Sequence, residues 1–502
     1  MNEKYSRSMN KACHILAFLL LALHCMAQDY ETFLGTQIFA GSENINWIRT
    51  PDADYSYAEL STAYTDGSFR SPFDGRSLWS NTAKAKSLKQ FQNFSIQGTF
   101  SFSSASANGA CGSMSAISEY YPVDIYEFTP GKKSRQVYDL LGGLSLNVSE
   151  NWLIGGKFTY QGQNYTKLKD LRHTTYHMSL QVSPSVLYRG DAWSAGGVYS
   201  FKRNTQSIVA EEIGINSGVY YAFLDKGLFY GVKDIWDNSS VHLKESGLDR
   251  FPIQENMHSL TVQSLYDNLF AEFGIQAGKG KIGEKQKIWY DYNRYACTAA
   301  LAYRLTGEAV EHTFKLKYDY RFLKNYENIL EDVTQGGITT TYDYGSLPIL
   351  SKSSSLAGLE YMFYDKNNGT IITADASITG ERAESSTVYP YVYSSELLNA
   401  DMGLSARFTV QKHLEITALL RAQKGFQNEA SRSVSDTQAS TSAQRATDIY
   451  SEMIIWKTSL KIPVHVGFRY TFDNGLYAKY GFSFIGHKNG QITNTLAIGY
   501  NF

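Results

Sequence analysis

The sequence predicts an all-β fold, a transmembrane antiparallel β-barrel of 16 or 18 strands with long extracellular loops and short periplasmic turns. Three observations predict it. In the last eleven residues Ile492, Asn494, Leu496, Ile498, Tyr500 and Phe502 alternate with Thr493, Thr495, Ala497, Gly499 and Asn501. That period of two belongs to strands, not helices. Aromatic residues make up 14% of the chain, with 37 Tyr and 27 Phe, and a barrel needs such a supply for girdles at both membrane interfaces. Proline is scarce, 9 in 502 residues, as expected where most backbone N–H groups donate to a ladder.

The chain opens with Lys4, Arg7 and Lys11, then the apolar run Ile15 to Leu23, then Cys25, Met26, Ala27 and Gln28. A charged start, a short apolar stretch and a small-residue cleavage site read as a signal peptide, residues 1–27. Cys25 suggests lipid attachment, but the bulky His24 before it is wrong for a lipoprotein site. Residues 28–54 follow as a periplasmic N-terminal segment, and residues 55–502 are assigned to the barrel. No later stretch has the 18 or more apolar residues of a membrane helix.

From about Gln92, alternating segments of 10 to 14 residues recur in pairs. Tyr138, Leu140, Leu144, Leu146 and Val148 point one way, Ser149 to Asn151 turn, and Trp152, Ile154, Phe158 and Tyr160 resume that face. Tyr176 to Val186, a turn at Arg189 to Asp191, and Trp193 to Phe201 repeat the pattern. Trp152 and Trp193 fall at the same place in successive hairpins, where an interfacial indole is favoured. Further pairs turn at Asp267-Asn268, Asp365 to Gly369 and Asp473-Asn474-Gly475, residue types that accept hairpin backbone angles. Sixteen strands follow Gln92. Tyr55 to Tyr64 adds one, and parity then asks for Leu78 to Ala85 as its partner, so eighteen is preferred.

Long loops are expected at about Ser103 to Ser134, Asn204 to Asn256, Lys324 to Ser351, Gly380 to Glu396 and Lys424 to Glu452. The second carries Tyr220, Tyr221, Phe229, Tyr230 and Trp236, an aromatic density that suits ligand contact or a constriction folded into the mouth. Ser431 to Thr447 reads as a polar loop.

Ser56-Tyr57-Ala58-Glu59-Leu60, Gly67 to Pro72 with Asp74-Gly75, and Gly98 to Phe102 resemble the opening of an uncharacterised family of Gram-negative outer-membrane β-barrel proteins of unknown function. The terminal Gly499-Tyr500-Asn501-Phe502 is similar to the signal read by the barrel-assembly machinery. The resemblance implies fold and location and brings no activity.

Motif chemistry is sparse. Gly278-Lys279-Gly280-Lys281-Ile282-Gly283 matches a dinucleotide fingerprint in letters, but a charged hairpin and the strand from Trp289 follow it instead of the helix the mechanism needs. No His-Glu-x-x-His, paired Cys-x-x-Cys or nucleophile-elbow spacing occurs. Cys111 and Cys297 lie in dissimilar contexts, a Gly/Ser/Ala-rich loop and an apolar strand face. A membrane-embedded hydrolase would have to be built from His177 or His465, which alternation turns inward. His312 falls on the lipid side and His413 in a turn.

The inward set is richer. It includes Lys157, Glu272, Lys315, Lys317, Asp319, Arg321, Glu360, Asp375, Asp401, Arg407, Glu415, Arg421, Lys461, Arg469 and Lys479, which either brace the wall or line a water-filled pore. With 47 basic and 48 acidic residues, nothing steers the chain toward nucleic acid. No enzyme, cofactor or metal is expected. The expected function is transport, or a pore for a small solute whose lumen is partly occluded, working beside a TonB-dependent receptor. The alternative is a surface-binding or structural barrel. Expected partners are outer-membrane lipid and lipopolysaccharide, and the assembly machinery during biogenesis.

Overall fold

The computed structural model describes residues 35–49, 54–169, 171–211, 221–227, 231–235, 248–284, 287–388, 393–411, 413–432, 451–486 and 490–502. The expected signal peptide, most of Ser431 to Thr447, and Tyr220, Phe229, Tyr230 and Trp236 lie outside them.

The first strands are β1 (Tyr55–Gly67), β2 (Ser77–Gln90), β3 (Phe94–Ser113), β4 (Asp124–Asn147), β5 (Trp152–Lys167), β6 (Arg172–Arg189) and β7 (Trp193–Glu211). Two short strands follow, β8 (Tyr221–Asp225) and β9 (Gly231–Ile235). Then come β10 (Leu248–Tyr266), β11 (Leu269–Glu284), β12 (Lys287–Thr306), β13 (Val310–Gln335), β14 (Ile338–Asp365) and β15 (Thr370–Ser385). The last are β16 (Tyr393–Gln411), β17 (Leu414–Arg432), β18 (Ile462–Thr471), β19 (Leu476–Gly486) and β20 (Gln491–Asn501).

Sequence neighbours pair antiparallel, except that β7 skips to β10 and leaves β8–β9 as a hairpin attached to β4. β20 returns to β1, with Asn501 opposite Tyr57 and Gln491 opposite Gly67. The ring therefore closes on 18 strands, which decides between the two expected numbers. Leu140, Ile154, Leu260, Phe273, Leu316, Leu404, Leu420 and Leu496 stand exposed on its outer face. Because the side-chain period is two, this apolar face fixes the register of each strand for a lipid surround. The fold is a transmembrane β-barrel.

One end carries the tight turns. Asp267 takes φ 51° and Gly475 φ 84°, the left-handed angles these hairpins need. Trp152 and Trp193 flank Tyr188 there at ring distances of 5.2 and 5.9 Å, an aromatic group beside the turns. The other end, the loop end, departs from expectation. Ser103 to Ser134 and Lys324 to Ser351 are mostly strand, and β13 and β14 run 26 and 28 residues to a two-residue turn at Gly336-Gly337. Crossing the bilayer needs only ~9–11 residues per strand. Beyond it the ladder continues in water, where no lipid-facing stripe announces it.

The interior is filled at both ends. At the turn end, Ile38, Phe39 and Trp47 of the N-terminal segment bury against Leu153, Leu187, Phe270 and Ala302. At the loop end, the β3–β4 connection (114–123), Leu224 of β8 and Met453 of a helix at 451–458 pack with Phe251, Ile282, Tyr290, Tyr292, Leu323 and Ile349 of the wall.

Candidate functional site

The lumen between these two fillings is the candidate site. Its floor is the N-terminal segment, seated in a cradle that the sequence prepares with glycine. A Cβ at Gly143 would lie 2.6 Å from Ile45, one at Gly155 2.5 Å from Asn46, and one at Gly196 2.6 Å from Asn44. With side chains absent there, the segment docks by amide chemistry. Asn44 donates to Val186 O (3.0 Å) and Gln263 (3.1 Å), Ser145 donates to Asn46 (2.7 Å), and Asn46 donates to Ser185 (3.2 Å). Ser42 donates to Glu272 at 2.6 Å, and Lys157 forms an ion pair with Glu43.

Its roof is the 114–123 connection, gripped by six wall strands, β4 to β7, β10 and β12. Thr175 donates to Met114 O (2.6 Å), and Gln163 and Arg135 donate to Ala116 O (2.9 and 2.8 Å). Gln206 accepts from Ala116 N at 3.0 Å and donates to Ser115 at 2.9 Å. At the tip, Tyr120 donates to Glu255 (2.7 Å) and accepts from Asn204 (3.0 Å). Arg294 meets Glu255 at 2.9 Å, donates to Tyr120 O at 2.8 Å and lies 4.3 Å from the Tyr120 ring centroid. Glu119 holds φ 62°, uncommon for a residue with a Cβ, and pairs with Lys457 at 3.0 Å. Burial, the largest single influence, would raise its carboxyl pKa, but Lys457 and Lys352 together outweigh it and hold the pKa below the ordinary range.

Between floor and roof run three adjoining cavities. One of about 520 Å³ touches Ile38, Ala40, Gly41 and Ser42, one of about 310 Å³ lies between Glu43 and Tyr120, and one of about 210 Å³ reaches Tyr121 and Lys457. Arg321 lines all three, paired to Asp319 at 2.8 Å with 64% of its side chain exposed to the lumen. Lys202 lines the middle cavity with no ion-pair partner among the described residues.

The other inward charges brace the wall. Lys315 and Lys317 share Glu360 (3.2 and 3.8 Å), and Glu415 takes Arg407 at 2.7 Å and Arg469 at 3.7 Å. Arg421 reaches Asp401 at 2.6 Å and, across Gly403, Asp375 at 2.9 Å. Lys479 pairs with Glu59 at 2.7 Å, tying β19 to β1 beside the closing strand. Lys461 faces Gln423 and sits 3.9 Å from the Trp456 ring centroid. Tyr221 begins β8, whose pairing with β9 continues onto β4.

Among the described residues, His465 meets Ser483 at 2.8 Å with no carboxylate on its other nitrogen, and neither ring nitrogen of the buried His177 has a partner. His312 bonds Tyr361 and His413 bonds Thr471 O. No group of His, Cys, Asp or Glu suited to a metal occurs among the described residues. Neither Cys111 nor Cys297 forms a disulfide among the described residues. The glycine-rich run 278–283 is strand, paired to β10 and β12.

A family model described as a family of unknown function (DUF6850) matches residues 47–502. The chain belongs to that family. No curated protein matches the sequence of this DUF6850 barrel. Similar solved structures include the ferric yersiniabactin uptake receptor FyuA from Yersinia pestis, 9% identical with a TM-score of 0.42, over 90% of this chain and 80% of the receptor. The outer membrane transporter YddB from Escherichia coli is 8% identical with a TM-score of 0.41, over 88% and 81%. A mutant of the ferric enterobactin receptor PfeA from Pseudomonas aeruginosa is 9% identical with a TM-score of 0.42, over 89% and 81%.

Sequence reasoning missed the roof and floor of the DUF6850 lumen. Lys202, Glu255 and Arg294 were within reach, because they are inward by the alternation that puts Tyr199, Leu260 and Tyr295 outward. Asn44, Asn46 and Tyr120 lie outside any periodic pattern and carried no such signal.

Proposed function

We propose that this barrel is a gated conduit for small solutes in the outer membrane of a Gram-negative bacterium. One observation carries the reading: the three adjoining cavities run from the N-terminal segment to the inserted connection, with the part-exposed Arg321 common to all. A barrel serving only as an anchor has no need of a chamber lined by Lys202, which has no ion-pair partner among the described residues. The turn end then faces the periplasm, and the segment at 35–49 is the element a periplasmic partner or a neighbouring TonB-dependent receptor would displace. The 114–123 connection is the outer gate, held by the Tyr120, Glu255 and Arg294 contacts. Lipid and lipopolysaccharide surround the outer face, and no catalytic step is assigned.

Flux of small solutes into proteoliposomes tests the proposal. Slow entry through the wild type and faster entry through Glu255→Gln support it; entry no faster than in empty liposomes for both proteins contradicts it. The apolar core that closes the loop end favours a second reading, an anchor whose outer surface binds a partner. That reading requires absence of flux in every gate variant.

A further inference from the structure

The smallest of the three cavities, about 210 Å³, differs from the others in what its walls leave unpaired. Two inward rows of the sheet form one side. Leu323, Lys352, Ala383 and Ser395 stand opposite one another across β13 to β16, and Arg321, Ser354, Glu381 and Leu397 form the adjacent row. Lys352 and Arg321 are thus diagonal neighbours on paired strands, within reach of one shared group. Tyr121 and Pro122 of the connection and Lys457 of the helix close the other side.

The cavity's two acids are already engaged. Lys457 lies 3.0 Å from Glu119 and 4.0 Å from Glu381. Lys352 has neither an ion pair nor a hydrogen bond among the described residues. Tyr121 is 3% exposed, and its hydroxyl has no hydrogen-bond partner there. A cation and a buried donor facing one space call for an acceptor with negative charge. Leu323, Ala383, Leu397 and Pro122 give the wall an apolar share among its serines and charges, and the volume exceeds the ~150 Å³ that admits a benzene-sized molecule.

We propose that this cavity binds a small organic anion, its carboxylate or phosphate held by Lys352, Arg321 and the Tyr121 hydroxyl and its apolar body lying against Leu323 and Leu397. The inference names a solute class for the same lumen and rests on reading that lumen as a route.

Calorimetric titration of the full chain in detergent with benzoate, phenyl phosphate and neutral benzamide tests it. One-site binding of benzoate or phenyl phosphate is expected, with benzamide silent; which anion binds tells carboxylate from phosphate. Lys352→Gln and Arg321→Gln each weaken binding about tenfold, and Tyr121→Phe about fivefold, the range for charge-assisted and neutral hydrogen bonds. Arg321 is exposed to the lumen, so its variant reports on binding even where Lys352→Gln misfolds. Failure of both anions to bind, equal binding of benzamide, or full affinity in Arg321→Gln overturns the site. Solute flux without anion binding overturns the site and leaves the conduit, whereas anion binding without flux supports the site and removes the conduit.

Discussion

Glu255 is fully buried and serves three partners at once: Tyr120, Asn204 and Arg294. Removing one member of a buried pair leaves the other charge bare, at ~3–5 kcal/mol. Glu255→Gln should therefore lower the heat-induced unfolding midpoint in detergent and free the connection's tip; an unchanged midpoint would show that Arg294 does not depend on it. Asp124 begins β4 at the loop end, 23 positions from the turn end at Asn147 and so beyond the hydrocarbon. Burial pushes its carboxyl from 3.8 up to about 6, against hydrogen bonds from Ser113 and Ile125 N. Between these values the folded state keeps a proton that the unfolded chain has lost. Stability is then fully present below pH ~4 and falls as pH rises toward 6, by about 3 kcal/mol at most. Asp124→Asn should flatten that slope in unfolding midpoints taken from pH 4 to 7; a slope equal to the wild type's would assign it to other groups. Asp124 was not legible in the sequence as part of a site, because it sits in what reads as loop. Glu255 was legible only by carrying the alternation back from the outward Leu260 into a stretch expected as loop.

The strands were legible wherever lipid enforces alternation, and β18 to β20 and the turns at Ser149 to Asn151, Arg189 to Asp191, Asp267-Asn268, Asp365 to Gly369 and Asp473 to Gly475 follow from residue types. The loop-end extensions of β3, β4, β13 and β14 were not, since a ladder in water tolerates polar residues on both faces. The N-terminal segment was legible only as a short periplasmic stretch. Its seat depends on three glycines on three different strands, which no local spacing connects. Gly155→Val should expel Asn44 to Asn46, because a branched side chain would overlap Asn46 and Ile45. Trypsin should then cleave after Arg49 several-fold faster than in the wild type, read by mass spectrometry; equal cleavage rates would show that the segment is held elsewhere.

For the molecule, closure and content are separate properties. Eighteen strands in one ring give a lumen wide enough to hold solute, and most of its charges are paired across the wall. What makes the barrel a conduit in this account is that its two fillings are inserted segments, each held by polar contacts that a substitution can break. Single-channel recording in planar bilayers tests this most directly. The wild type should show rare, brief openings, and the double variant Gly155→Val with Glu255→Gln should show sustained open steps. A permanently open wild type would contradict the occlusion, and silence from the double variant, inserted and folded, would contradict the conduit.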